Sequence, residues 1–179
     1  HLQITAWSAA LGNATAEDFT KKCLHSFLDW DKPFQNVLYI TGYNISCLLL
    51  SWLFIASLCP KIFEERLEEF WQSIHHLLLM LRRYPSLYSS ANNHRLAELV
   101  ALYIYDRIAP DLPLAQAQLH LDEINALIPK LFFPDGVNKE QSFHYQANTL
   151  EFLLLTQRIS SHYRESLYVD SYLKMSCSF

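Results

Sequence analysis

Three polar residues, Asn92, Asn93 and His94, stand at the start of an otherwise apolar helical pattern in the stretch SANNHRLAELVALYIYDRIA. One asparagine is enough to cap a helix, because its side-chain oxygen accepts a hydrogen bond from an unpaired amide of the first turn, and we assign this role to Asn92. Helical spacing places Asn93 at the end of the apolar stripe that includes Leu96 and Val100. A side-chain amide at such a position needs a hydrogen-bond partner. A ligand carboxylate is one candidate.

A second group of polar residues lies in DGVNKEQSFHYQ, where Glu140, Gln141, His144 and Tyr145 occupy the first turns of a predicted helix. A positioned tyrosine can transfer protons as an acid or a base. The helix has a main apolar stripe, with Tyr145 on roughly the opposite side. This stripe consists of Phe143, Ala147, Leu150 and Leu154. Tyr145 therefore either serves a site or fills a second packed side of the helix.

The charge distribution is uneven along a chain whose net charge is −4. No carboxylate occurs between Glu69 and Glu98, whereas six basic or histidine residues do: His75, His76, Arg82, Arg83, His94 and Arg95. Two arginines at a helix end can simply complement the helix dipole. The same stretch can also attract an anionic polymer to Asn93. The acidic balance and scattered basic residues predict no affinity for nucleic acid.

Several other chemistries are excluded by missing motifs. The sequence has no HExxH, no G-x-S-x-G, no phosphate-binding glycine loop and no dinucleotide-binding fingerprint. Adjacent helical residues point about 100° apart, so His75 and His76 are predicted on a helix surface and not in a metal site. The four cysteines form no CxxC pair, which favours buried free thiols. We predict no metal and no cofactor.

The composition favours one helical domain that spans residues 1–179. Half of the residues are hydrophobic (51%), and three glycines are too few for a meander of short strands. The fold class predicted is all-α, built from antiparallel helical hairpins. Periodicity leaves a bundle, a solenoid and an α/α toroid open as arrangements.

Six helices position the candidate residues. Thr15 and Asp18 resemble a capping box, and Pro60 and Pro110 separate helices. The predicted helices cover residues 16–30, 37–58, 61–84, the stretch that includes Leu96 and ends before Pro110, 114–127 and 140–159. Asn93 and Tyr145 would each lie near the start of a helix. The final twenty residues are ambiguous, with room for one more short helix.

The longest uncharged segment runs from Pro33 to Pro60 and is long enough to cross a bilayer. Its first half is rich in polar residues, which leaves an apolar run of only about a dozen residues, typical of a buried core helix. A membrane span is therefore not favoured and is kept as a third interpretation.

Taken together, NNHRLAEL and, some forty residues later, FFPDGVNKEQSFHYQ resemble the α-helical domain of the heparinase II/III and alginate lyase type of polysaccharide lyases. In that family an asparagine–histidine pair begins one helix and a DG-x-x-x-EQS-x-x-Y segment begins another. The SCLLLSWLFIASL segment also resembles the family's tryptophan-bearing helix. The resemblance covers most of residues 30–160. It implies that this chain is part of an α/α toroid. In the family a β-sandwich domain normally follows, and we expect that domain to be absent from this chain.

The resemblance also implies a reaction, β-elimination at a uronic acid. Asn93 and His94 would neutralise the substrate carboxylate, and Tyr145 would transfer protons. Neighbouring residues are expected to bind the substrate: Arg95, Glu140, Gln141 and His144. An amide stabilises the developing negative charge as an oxyanion hole does. Ionising a tyrosine at neutral pH costs roughly 4 kcal/mol, so a tyrosine base needs cationic neighbours, whereas a tyrosine acid does not.

Two departures from the family pattern are visible. Gln146 follows the motif tyrosine where the family commonly has histidine, and Asn44 and Leu48 stand where a charged pair is common. The chain begins with His1, and we expect a piece of a larger protein. The resemblance implies a periplasmic or extracellular location. The expected partner is an anionic polysaccharide. The alternative function is a non-catalytic helical domain that binds a polysaccharide or serves as a structural module. The sequence does not define the oligomeric state.

Overall fold

The computed structural model describes residues 8–34, 41–88, 91–109 and 114–167. Over these residues the protein is all-α, with a single isolated bridge between Phe132 and Asn138, so the predicted fold class is confirmed. Backbone contacts divide the chain into a first unit, His1–Tyr84, and a second unit, Pro85–Phe179. The single domain and the toroid arrangement stay predictions.

The first unit contains α1 (Ala14–Phe34), α2 (Gly42–Leu58), a 3₁₀ helix (Pro60–Arg66) and α3 (Leu67–Arg83). The capping box predicted at Thr15 is wrong, because α1 already begins at Ala14 and the side-chain oxygen of Asn13 accepts from the Ala16 amide at 3.1 Å. Helix α2 begins later than predicted, with Thr41 as its cap. Residues 37–40 of the predicted helix lie outside the described residues.

Aromatic side chains form the centre of the first unit. Trp52 is buried, with its ring centroid 5.2 Å from that of Phe27 and 6.3 Å from that of Phe63. Phe63 continues the cluster to Phe70, at 4.4 Å. Large buried aromatic rings contribute much of the apolar surface that stabilises a fold. The hydrophobic spacing of residues 61–84 predicts that Leu67 and Trp71 are buried as well, but this prediction is wrong, because both are exposed.

None of the helices in the described ranges is by itself long and apolar enough to span a bilayer. One pair of consecutive helical segments is long and apolar enough when the two are taken together, but the pair is bent by 107°. These segments are Gly42–Leu58 and Pro60–Arg83.

The second unit contains α4 (Asn93–Ile108), α5 (Leu114–Leu131) and α6 (Phe143–His162). Helix α4 packs against both α5 and α6. Helix α5 continues past its predicted end and includes Pro129. Helix α6 begins three residues later than predicted, because Gln141 has a φ of 52°, a left-handed conformation that an α-helix does not contain. Arg164, just after α6, is also left-handed, with a φ of 57°.

The buried side of α6 differs from the predicted one. Its buried residues are Thr149, Leu153, Thr156 and Ser160. The predicted apolar stripe faces away from the core: Phe143 is 96% exposed, and Ala147 and Leu154 are exposed as well. Polar residues can face the core here because they are hydrogen-bonded, which removes most of the penalty for burying them.

A second polar cluster, apart from the one around Thr149, connects the end of α6 to α4. It consists of Tyr103, Arg107, Tyr163 and Glu165. Glu165 forms an ion pair with Arg107 and accepts a hydrogen bond from the Tyr103 hydroxyl at 2.6 Å. The Tyr163 hydroxyl donates to the Arg107 carbonyl at 3.0 Å. Burial raises the pKa of Tyr103, because a phenolate is poorly solvated in the core, while the neighbouring Arg107 acts in the opposite direction.

Candidate functional site

Asn93 connects the two motifs that the sequence analysis singled out. Its side chain is almost fully buried (7% exposed) at the first residue of α4. The Asn93 Nδ2 donates to Glu140 Oε1 at 2.8 Å, and its Oδ1 accepts from Thr149 Oγ1 at 3.0 Å. The buried amide is therefore hydrogen-bonded within the protein, and its donor already holds a carboxylate.

Asn138 organises the loop that precedes α6. The backbone amide of Glu140 donates to Asn138 Oδ1 at 2.9 Å, and Asn138 Nδ2 donates to Thr149 Oγ1 at 3.1 Å. Gln146 closes the loop: its Oε1 accepts from the Asn138 amide at 2.6 Å, and its Nε2 donates to the Gly136 carbonyl at 3.1 Å. Gln146 thus has a defined structural role in this loop.

Tyr145 lies beside this network on the first turn of α6. Its side chain is 42% exposed, which argues against the interpretation that it merely fills a second packed side of the helix. Within the described part of the chain, its hydroxyl has no hydrogen-bond partner. The ring of His144 is 5.9 Å from the Tyr145 ring, and its Nε2 lies 3.1 Å from Asn148 Nδ2. The Tyr145 hydroxyl is thus available to a ligand.

Arg95 points to a different side of α4. Its Nη2 donates to Glu123 on α5 at 2.7 Å, and its Nη1 lies 3.4 Å from the buried Glu98 carboxylate. Arg95 is therefore engaged with α5, and the structure does not pair it with Tyr145 of α6. His94, also expected to supply positive charge, is half-buried in the first turn of α4.

Glu98 is a buried carboxylate that sequence reasoning did not identify. It accepts from the Ser86 amide at 3.0 Å and from the Ser86 hydroxyl at 2.6 Å, in addition to its contact with Arg95. These bonds attach the segment before α4 to the helix itself. A glutamate in the middle of an apolar helical pattern was the available signal, because such a residue is rarely buried without partners.

Asn92 occupies the cap position of α4, as predicted, but its side chain makes no capping hydrogen bond. The assignment of the capping hydrogen bond to Asn92 is therefore wrong. Asn92 instead lines a cavity of about 300 Å³ in the second unit. A shallower groove of about 710 Å³ lies in the first unit, along Leu67, Trp71 and His75 of α3.

His75 is exposed, in keeping with the surface position predicted for it, whereas His76 is half-buried and its Nε2 atom is buried. Among the residues that the structure describes, no group of three or more histidine, cysteine, aspartate or glutamate side chains could hold a metal ion.

The chain matches no protein-family model, no curated protein and no solved structure. The geometry of the site is therefore the basis for the functional argument. The second unit has a buried amide, an exposed carboxylate, an imidazole and a phenol around the first turns of α4 and α6. Such groups can bind a hydroxylated, negatively charged ligand and exchange protons with it.

Proposed function

We propose that this chain is the helical part of a lyase that cleaves a uronate-containing polysaccharide by β-elimination. The observation that carries the proposal is the contact between the two motif segments: Asn93 of the first holds Glu140 of the second at 2.8 Å. Tyr145 supports it, because this exposed residue lies one helical turn before Thr149, whose hydroxyl donates to Asn93. The family resemblance, the helical fold and the arrangement of these groups all favour the same chemistry.

In the proposed reaction, the C5–H bond of the uronic acid breaks, a C4=C5 double bond forms and the C4–O bond breaks. Tyr145 transfers protons as base, acid or both. When it acts as both, its phenolate takes the C5 proton and the resulting phenol donates that proton to the leaving oxygen; when it acts as only one of the two, water supplies or accepts the other proton. Asn93 and His94 bind the carboxylate, whose negative charge grows when C5 loses its proton. Glu140, Gln141 and His144 are proposed to contact the substrate around this centre. Arg95, which Glu123 holds on the α5 side of α4, is proposed to contact the substrate there.

Glu140 has a specific place in this mechanism. It occupies the Asn93 donor that a substrate carboxylate would use, so substrate binding would exchange one carboxylate for another at that amide. Glu140 is exposed and therefore has room to move. In the free protein it keeps Asn93 hydrogen-bonded, which lowers the free-energy penalty of burying an amide.

The second candidate function is a non-catalytic polysaccharide-binding domain. It is favoured by the same hydrogen bonds, because both ends of the Asn93 amide are satisfied within the protein. This alternative predicts binding of uronate polymers without formation of unsaturated products.

The test is the absorbance of unsaturated uronate at roughly 235 nm with alginate and glycosaminoglycans as substrates. Tyr145→Phe is expected to lower the rate by about 100-fold or more, because the phenol transfers the proton. Tyr84→Phe changes another exposed tyrosine, which lies in the first unit, and is expected to leave the rate within about twofold. An unchanged rate in Tyr145→Phe would remove Tyr145 from the mechanism. Binding without any absorbance would favour the alternative.

A further inference from the structure

The cavity at the start of α4 has the size of a site for one sugar ring. Its volume of about 300 Å³ is at the lower end of the range of small-molecule sites, roughly 300–1,000 Å³. Its apolar lining consists of the exposed Leu87 and Ala126 together with the buried Leu99 and Leu127. A pyranose ring has apolar C–H faces that suit such a surface. The polar groups lie around this apolar part of the lining.

These polar groups combine donors with an acceptor. Lys130 lines the cavity and forms no ion pair with any described carboxylate, and the Asn92 amide is not used to cap α4. Glu123 contributes a carboxylate that is 53% exposed. A simple inorganic anion would be repelled by Glu123. A uronic acid, in contrast, can present its carboxylate to Lys130 and its hydroxyl groups to Glu123 and Asn92.

The walls of the cavity are held in place before any ligand binds. The buried Glu98 carboxylate fixes Ser86 and contacts Arg95, and Arg95 in turn holds Glu123 at 2.7 Å. Hydrogen bonds between charged groups are among the stronger ones in proteins. A preformed site loses less free energy to ordering when it binds its ligand.

The cavity is also next to the proposed catalytic site. Asn92 lines the cavity, and the following residue, Asn93, holds Glu140 on the α6 side of α4. Their Cα atoms are about 3.8 Å apart, as in any trans peptide. We propose that the cavity is a second subsite, which binds a uronic acid ring further along the polysaccharide that occupies the Asn93–Tyr145 site. This inference rests on the proposed function and assigns roles to Asn92, Glu123 and Lys130.

The experiment measures binding of alginate-derived and heparin-derived tetrasaccharides to the 179-residue chain by calorimetry, with cellotetraose as the neutral probe. Lys130→Glu is expected to weaken binding of a uronate tetrasaccharide by roughly three- to tenfold. Ala126→Trp, at an exposed position of the cavity lining, is expected to weaken it as much by filling the space. Arg158→Glu makes the same charge reversal on α6 and should change binding less than twofold. The Tyr145→Phe variant should still bind the uronate tetrasaccharide.

Three results would overturn the subsite. The first is equal binding by the wild type, Lys130→Glu and Ala126→Trp, and the second is no binding of any uronate tetrasaccharide. The third is full competition by sulfate at constant ionic strength, which would define a simple anion site. The proposed function is distinguished by turnover. Cleavage of the polymer with an unchanged KM in both cavity variants keeps the lyase and removes the subsite. Binding that depends on Lys130 without cleavage keeps the subsite as part of the non-catalytic alternative.

Discussion

Both units bury hydroxyl groups that bond within their own helix, but in the second unit buried polar side chains also bond to distant segments. In the first unit, the Thr20 hydroxyl donates to the Ala16 carbonyl at 2.8 Å and the Ser46 hydroxyl to the Gly42 carbonyl at 2.7 Å, each within its own helix. In the second unit, Asn93 bonds to groups 47 and 56 residues away in the sequence.

This difference separates two kinds of stability. A hydroxyl that bonds within its own helix can be lost without leaving another side chain unpaired. A bond between distant segments leaves a buried partner unsatisfied when it is lost, and it also determines which segments meet. The polar contacts of the second unit therefore hold the candidate site in register, whereas the first unit depends mainly on apolar packing.

The largest effect should come from Glu98→Ala in the second unit. The substitution leaves Ser86 without its acceptor and Arg95 without its buried partner, so we expect the free energy of unfolding to fall by about 3–5 kcal/mol. Urea denaturation followed by circular dichroism measures it. Glu123→Ala removes the exposed partner of the same arginine and should cost about 1 kcal/mol or less. Equal losses in both variants would contradict the structural role of Glu98.

A smaller loss is expected from Asn93→Ala. The substitution removes the acceptor of Thr149 and the donor to Glu140, which should lower the free energy of unfolding by about 1–3 kcal/mol. The counterpart in the first unit is Ser46→Ala, for which less than about 1 kcal/mol is expected. Adding Thr149→Val to Asn93→Ala should cost less than the sum of the two single changes. Strict additivity would mean that this hydrogen bond is not formed in solution.

Tyr103→Phe tests the second polar cluster through pH. The folded protein holds the Tyr103 proton more tightly than the unfolded chain does, because the pKa is raised above its ordinary value of 10.0. Stability from this group is therefore complete below about pH 10 and is lost as the pH rises through the folded pKa. Phenylalanine has no hydroxyl proton, so the Tyr103→Phe variant lacks this dependence on pH.

At neutral pH the free energy of unfolding of the variant should be lower by about 1 kcal/mol, because the hydrogen bond to Glu165 is lost. Above pH 10 the free energy of unfolding of the variant should decrease less steeply with pH than that of the wild type. Unfolding curves at a series of alkaline pH values measure the difference. Parallel pH profiles for the two proteins would show that Tyr103 titrates normally.

The smallest effect is expected from Phe143→Ser on α6. The side chain is 96% exposed, so the free energy of unfolding should change by about 0.5 kcal/mol or less. Phe143→Leu controls for loss of the ring alone. A loss above about 1 kcal/mol would mean that the predicted apolar stripe of α6 is packed after all.

The parts of the fold that follow hydrophobic spacing were predictable. Ile62, Phe63 and Phe70 are buried as the pattern around α3 indicates, and the helical class follows from composition. The buried face of α6 was not predictable in this way, because periodicity assigns threonine to the surface. Thr149 faces the core only because Asn93 and Asn138, far away in sequence, supply its hydrogen bonds.

The candidate site was likewise predictable only in part. Asn93 and Tyr145 were identifiable as polar residues in unusual helical positions, and Asn93 does contact the second motif. Glu98 and Asn138 were missed, because their importance depends on loop conformations before α4 and α6 that no periodicity reports. The direction of Arg95 was likewise decided by Glu123 on a separate helix.

The two left-handed residues around α6 have a consequence for its register. Gln141 lies shortly before the helix and Arg164 shortly after it, and neither is a glycine. For α6 to gain a turn at either end, one of these residues would have to change its backbone conformation and give up the hydrogen bonds of the adjacent loop. The helix therefore has a stop at both ends, so the place of Tyr145 in its first turn is set by the backbone itself.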